Sequence, residues 1–258
     1  MTAISTIKAA NAATGGLSVT SKMRGYSYGI PATACNVGAQ LHEVEGSVCE
    51  GCYALKGNYI WPSVVLSQNR RLALLNHPQW TEGMIFILRA RYPEGGEFRW
   101  HDSGDLQSLE HLQRIVAVCE ATPEIRHWLP TREKAIVRLF FVMGGTLPEN
   151  LTIRVSASMV GRKPPTIEQA GKLTTSTVNY GDSARKCPAY SQNGACNGPA
   201  ELQRVRALIA AGPGTSKASK ARHGKAVRDL ARWDLSRSPV DCNACWRRDV
   251  PNVDYPKH

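Results

Sequence analysis

Two C-x-x-C pairs at opposite ends of the chain, Cys49-Glu50-Gly51-Cys52 and Cys242-Asn243-Ala244-Cys245, constrain this sequence more than any other feature. Two residues between cysteines make a tight turn that aims both sulfurs at one ion or cluster. Each pair has company: Cys35 lies upstream of the first, and Cys187 and Cys196 precede the second. The eighth cysteine, Cys119, recurs at helical spacing with Leu109, Leu112 and Val116 and reads as core filler. Seven thiols remain, split three and four.

Whether they are ligands or disulfides depends on compartment. The N-terminus, MTAISTIKAANAATGG, lacks a basic region followed by an apolar core, so no secretory signal is expected. No stretch approaches eighteen consecutive apolar residues, so no membrane span and no membrane partner are expected. In the reducing cytoplasm thiols stay free to bind metal.

Between the cysteine groups, the hydrophobic pattern alternates between strand and helix. Helical periodicity covers 62–75 and 80–91. Short strands are expected at 26–30, 97–100, 125–129, 151–156 and 173–180, with helices near 109–119 and 133–143. Alternation of this kind implies an α/β fold of right-handed βαβ units: a full or partial parallel βα-barrel of the TIM-like kind. Function then gathers at the C-terminal ends of the strands. There the sequence sets His101, Asp102, Ser103 and Asp105, then Thr131 and Arg132, then Arg154, Ser156 and Ser158. Ser103, Asp105 and Ser108 are also candidate caps for the following helix.

The core is expected over residues 1–180 and a cysteine-ligated region over 181–258. Inside the latter, residues 197–241 separate Cys196 from Cys242. Residues 201–237 hold nine basic and three acidic side chains, a net +6 of the chain's +11. Gly212-Pro213-Gly214 parts two helical stretches, so a basic helical hairpin is expected. Such a charge concentration is an electrostatic footprint for nucleic acid, with Trp233 and Trp246 as candidate stacking surfaces.

Several longer stretches resemble the bacteriophage gene product 88 family. These are Cys49-Glu50-Gly51-Cys52-Tyr53-Ala54-Leu55-Lys56-Gly57-Asn58-Tyr59, Phe98-Arg99-Trp100-His101-Asp102-Ser103-Gly104-Asp105-Leu106, Trp128-Leu129-Pro130-Thr131-Arg132, Ile153-Arg154-Val155-Ser156-Ala157, Cys242-Asn243-Ala244-Cys245-Trp246 and Tyr255-Pro256-Lys257-His258. The Cys-Tyr-Ala and Asp-Ser-Gly-Asp elements also resemble a phage group that looks related to radical S-adenosylmethionine (SAM) enzymes. The resemblance implies a phage iron–sulfur protein on a radical-SAM-like βα-barrel, working in the host cytoplasm. It departs from the superfamily in spacing, because thirteen residues separate Cys35 from Cys49.

Two cofactor sites follow as expectations. Cys35, Cys49 and Cys52 would hold a [4Fe–4S] cluster with one open iron for SAM, unless His42 or Glu43 closes it. Cys187, Cys196, Cys242 and Cys245 suit either a second [4Fe–4S] cluster or tetrahedral zinc. His101 (as proton donor), Asp102 and Asp105 are the catalytic candidates. Ser103, Arg132, Arg154 and Ser156 are the cofactor-binding candidates, either arginine gripping a carboxylate. The alternative is a cluster- or zinc-stabilised nucleic-acid-binding protein without catalysis.

Overall fold

A computed structural model describes residues 3–20, 23, 25–168, 173–181, 187, 198–231, 233, 242 and 244–255. Cys196, Arg232 and Arg237 therefore lie outside the described residues. The chain opens with α1 (Ile7–Thr14), capped by Thr6, whose hydroxyl accepts from the Ala9 amide, and stopped at left-handed Gly15. A two-residue β1 (Ser18–Val19) pairs antiparallel with β2 (Tyr26–Tyr28). The first cysteine segment follows, containing α2 (Asn36–His42) and two 3-10 turns, Tyr53–Leu55 and Gly57–Ile60. Then come α3 (Pro62–Leu74), α4 (Trp80–Arg91), β3 (Gly96–Trp100), α5 (Leu109–Ala121), β4 (Ile125–Thr131), α6 (Lys134–Val142), β5 (Leu151–Ser156) and β6 (Thr174–Val178). The hairpin helices α7 (Gly198–Ala210) and α8 (Lys217–Leu230) precede the last strand, β7 (Asn252–Tyr255).

All seven strands form one sheet in chain order, β1 to β7, and every pairing after the first is parallel. Among the described residues, no ladder joins β1 to β7. Parallel register sorts the side chains onto two faces. Arg99 stands beside Trp128 and Thr152, Pro130 beside Arg154 and Thr174, Ser156 beside Ser176 and Val253, and Val178 beside Tyr255. The opposite face carries Phe98, Trp100, Leu129, Leu151, Ile153 and Val155. These pack with Met84 and Leu88 of α4, Leu112, Ile115 and Cys119 of α5, and Val137 and Phe140 of α6 in one apolar core. Helices thus cover one face, as repeated same-handed crossovers require. Strand β5 is buried along its whole length, because the second face is covered too.

What covers that second face is the C-terminal cysteine segment. Cys187, Cys242, Ala244, Cys245, Trp246 and Val250 pack against Trp128 and Val253, and the Trp246 indole donates to the Phe98 carbonyl at 2.9 Å. Strand β7 extends the sheet itself, so the C-terminal segment and the sheet share one packed structure. The hairpin behaves differently: α7 and α8 pack on each other around Leu202, Leu230 and Trp233. Trp233 and Trp246 are both buried, which corrects their expected role as stacking surfaces for bases. Cys119 lies fully inside the helical core, as its spacing on α5 indicated.

Candidate functional site

The parallel strands end together, and above their C-terminal ends opens a cavity of about 1230 Å³. Its walls come from both halves of the site expected from sequence. Cys35, Cys49 and Cys52 line it, and so do His101, Asp102, Ser103, Asp105, Arg132 and Ser156. Tyr53, Tyr59, Trp61, Arg99, Trp128 and Tyr255 complete it.

Local geometry brings two of the three sulfurs, those of Cys35 and Cys49, to one point. Gly38, on the first turn of α2, faces the sulfurs: a Cβ there would lie 3.4 Å from Cys35 Sγ and 3.8 Å from Cys49 Sγ. A side chain at that position would fill the space the two sulfurs share. Ser47 shapes the C-x-x-C turn by accepting from the Cys49 and Glu50 amides at 3.2 and 2.9 Å. Burial pushes the Cys35 thiol up to about 12, and neighbouring Asp105, Cys49 and Cys52 add to the shift while Arg132 opposes it. Burial likewise raises Cys49, against Arg132. Thiols crowded with a carboxylate ionise readily only with added positive charge among them. His42, which also lines the cavity, is engaged through Nδ1 with the Cys49 carbonyl at 3.1 Å. Among the described residues, no three His, Cys, Asp or Glu side chains close around a single ion-sized point.

The loop after β3 is held in an unusual conformation. His101 has φ of 57°, a left-handed value rarely adopted by residues other than glycine. At Gly104 (φ 78°) a Cβ would strike Ile30, 2.3 Å from its Cγ1, so only glycine fits the turn. Local strain of this sort collects at functional sites. His101 is buried against His111, ring centroids 5.3 Å apart, and neither of its ring nitrogens has a hydrogen-bond partner among the described residues. Burial holds its pKa well below 6.5, with His111 and Arg99 pushing the same way. Burial thus disfavours the imidazolium that a proton donor at this position would need.

The two aspartates differ. Tyr53 and Tyr59 tether Asp102: the first donates to its carbonyl at 2.6 Å, the second to its Oδ2 at 3.3 Å. Oδ1 of Asp102 and Oγ of Ser103 are buried without a partner among the described residues. Asp105 accepts from the Leu106 amide at 2.8 Å, the Thr131 hydroxyl at 2.6 Å and the Arg132 amide at 2.8 Å. It thus bridges the ends of β3 and β4 and does not cap α5. Ser108 does that, accepting from the His111 amide at 3.1 Å. Burial raises the Asp105 carboxyl to about 6 despite these bonds.

The arginines divide sharply. Arg132 lines the cavity with Nε buried and unpartnered. Arg154 does not reach the cavity. It is fully buried, and its guanidinium donates to the carbonyls of Cys245, Thr175, Val250, Ala244 and Arg247 at 2.6–3.2 Å. The expectation that Arg154 binds a cofactor carboxylate is corrected: every donor nitrogen is spent on backbone. Arg99, which sequence reasoning passed over, stands on the cavity floor instead, its guanidinium 4.5 Å above the Trp128 ring. Its signal was parity. In a strand whose Phe98 and Trp100 face the helices, Arg99 must face the other way. Ser156 lines the cavity and accepts from Ser176 Oγ at 3.1 Å.

Of the second cysteine set, Cys187, Cys242 and Cys245 converge in the apolar layer below the cavity, and Cys196 lies outside the described residues. The Cys187 amide donates to the Asp254 carbonyl at 2.8 Å. Cys245 Sγ sits 3.0 Å from the Tyr255 hydroxyl, and Tyr255 stacks on Trp128. One tyrosine therefore touches the second set and lines the cavity of the first.

No helix among the described residues is long and apolar enough to cross a membrane. No curated protein and no solved structure matches the chain. The family model described as gene product 88 matches residues 4–248. That span takes in both cysteine sets, the loop after β3 and the hairpin, so the chain belongs to the gene product 88 family.

Proposed function

We propose that this chain is an iron–sulfur protein with radical-SAM-like enzymatic activity, its sheet forming part of a βα-barrel. The observation that carries the reading is the meeting of Cys35, Cys49 and Cys52 with the His101–Asp105 loop and Arg132 around one cavity at the C-terminal ends of parallel strands. Strands in simple chain order with helices on one face support a partial barrel. When bound, a [4Fe–4S] cluster with one open iron would supply an electron and a seat for the methionine end of SAM. The chain's own residues do the rest. Asp102 and Ser103 offer unpaired polar atoms to a ribose or an amino group, Ser156 offers a hydroxyl, and Arg132 offers a free Nε to a carboxylate. Asp105 positions Arg132 by holding its amide. His101 contributes an imidazole whose ring nitrogens are unpartnered among the described residues and can donate or accept a hydrogen bond.

The second set, Cys187, Cys196, Cys242 and Cys245, would hold a [4Fe–4S] cluster or zinc as a structural centre. A nucleic-acid partner is the second reading. Lys217, Lys220, Arg222 and Arg228 on α8 and Arg206 on α7 are exposed, which favours contact with phosphates over a merely stabilising role.

Anaerobic purification with iron, sulfide and zinc analysis tests the first reading. Brown protein with iron at the Cys35, Cys49 and Cys52 site, and iron or zinc at the second, is expected, with calorimetric heat on adding SAM that disappears in Asp102→Ala. Colourless protein carrying stoichiometric zinc overturns it.

A further inference from the structure

The cavity holds two guanidinium groups, and the proposed cofactor accounts for one of them. Arg132 lies beside Cys35, Cys49 and Asp105, where the cofactor's carboxylate would be. Arg99 stands on the sheet floor, its guanidinium carbon 4.5 Å from the Trp128 ring centre. Its partners are poor ones for a buried cation. One Nη donates to the thioether of Met23, a weak acceptor, and the Tyr53 hydroxyl is a neutral partner. Its Nε is buried and unpartnered, while the Tyr53 and Tyr59 hydroxyls and the Asp102 carboxylate nearby favour its charged form against the cost of burial. An aromatic face compensates a half-buried guanidinium only partly, so the cation keeps donor capacity for an added anion. Arg154, on the same sheet face, shows the contrast, because backbone carbonyls satisfy it completely.

We infer that Arg99 forms a second anion subsite, which binds a carboxylate or phosphate group of the substrate above Trp128. The inference rests on the reading of this cavity as the reaction site and adds the substrate's chemical class. A guanidinium on an indole in the cavity lining carries planar donors that match both anions. Tyr255, stacked on Trp128, and Tyr53, hydrogen-bonded to the guanidinium, hold these donors in place.

Trp128 reports on the subsite directly. The full chain carrying 5-fluorotryptophan would be titrated with inorganic phosphate and, separately, with acetate, at constant ionic strength. Fluorine NMR follows the Trp128 resonance, assigned with Trp128→Phe. A saturable Trp128 shift with phosphate, with acetate or with both is expected, and which anion binds tighter tells the phosphate source from the carboxylate. Arg99→Gln should weaken that binding about tenfold or more, and Arg99→Lys, which keeps the charge without the fork, by less. Arg132→Gln should leave the shift in place. Unchanged Trp80 and Trp100 resonances certify folding. No saturable shift with either anion, or an equal shift in Arg99→Gln, overturns the inference. The assay needs no iron. A shift in protein that metal analysis finds iron-free keeps the subsite while the cluster reading fails.

Discussion

A single arginine side chain fastens the C-terminal segment to the sheet. Arg154 reaches across from β5 and donates to five backbone carbonyls, four of them in the C-terminal segment. Hydrogen bonds to a charged group are stronger than neutral ones, and a buried acceptor left alone carries its full desolvation cost. Arg154→Leu should therefore cost about 3–5 kcal/mol, and Arg154→Lys should recover little, since one ammonium cannot span five acceptors. Urea midpoints of the three proteins check this. The histidines act on stability through pH. Burial takes His111 and His127 from 6.5 down to about 3 and lowers His101 as well. Below pH 6.5 the unfolded chain gains protons that the folded one refuses. Their contribution is thus whole above 6.5 and is lost on acidification, at about 1.4 kcal/mol per histidine per pH unit. Asp105 runs the other way. Its folded pKa is raised to about 6 from 3.8, so it favours the fold as pH falls through that window. It is one group against three. Stability should fall between pH 6.5 and about 5, and His127→Phe, which keeps a ring stacked on Trp100, should flatten the decline. Denaturation at stepped pH measures both slopes.

Among the elements, those with a strong local signal were legible from sequence. The run Leu151–Ser156 and the helical stripe of α5 report their own burial, and β3 and β4 end where the polar clusters begin. Strand β7 was not legible. Only Val253 and Tyr255 in it are apolar or aromatic, and its Asn252 and Asp254 are satisfied by Thr175 and Thr177 of β6, partners more than seventy residues away. Helix α1 was missed because alanines carry little hydrophobic contrast. At the site, residues grouped by strand ends were found. Arg154 was misassigned because its partners are carbonyls of a distant segment, which side-chain chemistry does not advertise. The hairpin α7–α8 was legible from Gly212-Pro213-Gly214 and its charge. Its buried residues meet mainly each other, and two antiparallel helices return the chain near its start. Deleting residues 198–233 with a short linker should leave the melting temperature and any bound metal nearly unchanged. If the exposed basic side chains bind phosphate, the deletion also weakens nucleic-acid affinity and flattens its salt dependence. Filter binding at two salt concentrations compares the proteins, and equal slopes would remove the nucleic-acid reading.

At the scale of the whole molecule, the described cysteines of the two sets lie at two depths. Cys35 and Cys52 are half-buried in the wall of an open cavity, whereas Cys187, Cys242 and Cys245 are buried in the apolar layer pinned by Arg154, Trp246 and Val250. A chelator reaches the first set through the cavity mouth and the second only when that layer opens. If the inner set holds metal as proposed, that metal is coupled to folding, because Cys187, Cys242 and Cys245 are also core residues. Anaerobic chelation should therefore run in two phases. The fast one removes metal from Cys35, Cys49 and Cys52 while far-ultraviolet circular dichroism stays constant, and the slow one coincides with loss of structure. Local opening free energies set such rates, and exposed loops open more readily than a core. Cys49→Ala should delete the fast phase and leave melting nearly unchanged. Cys245→Ala should lower the melting temperature by several degrees, as about 1–2 kcal/mol does in a chain of this size. A single phase in the wild type, or loss of structure during the fast one, would mean that the two sets form a single cooperative unit.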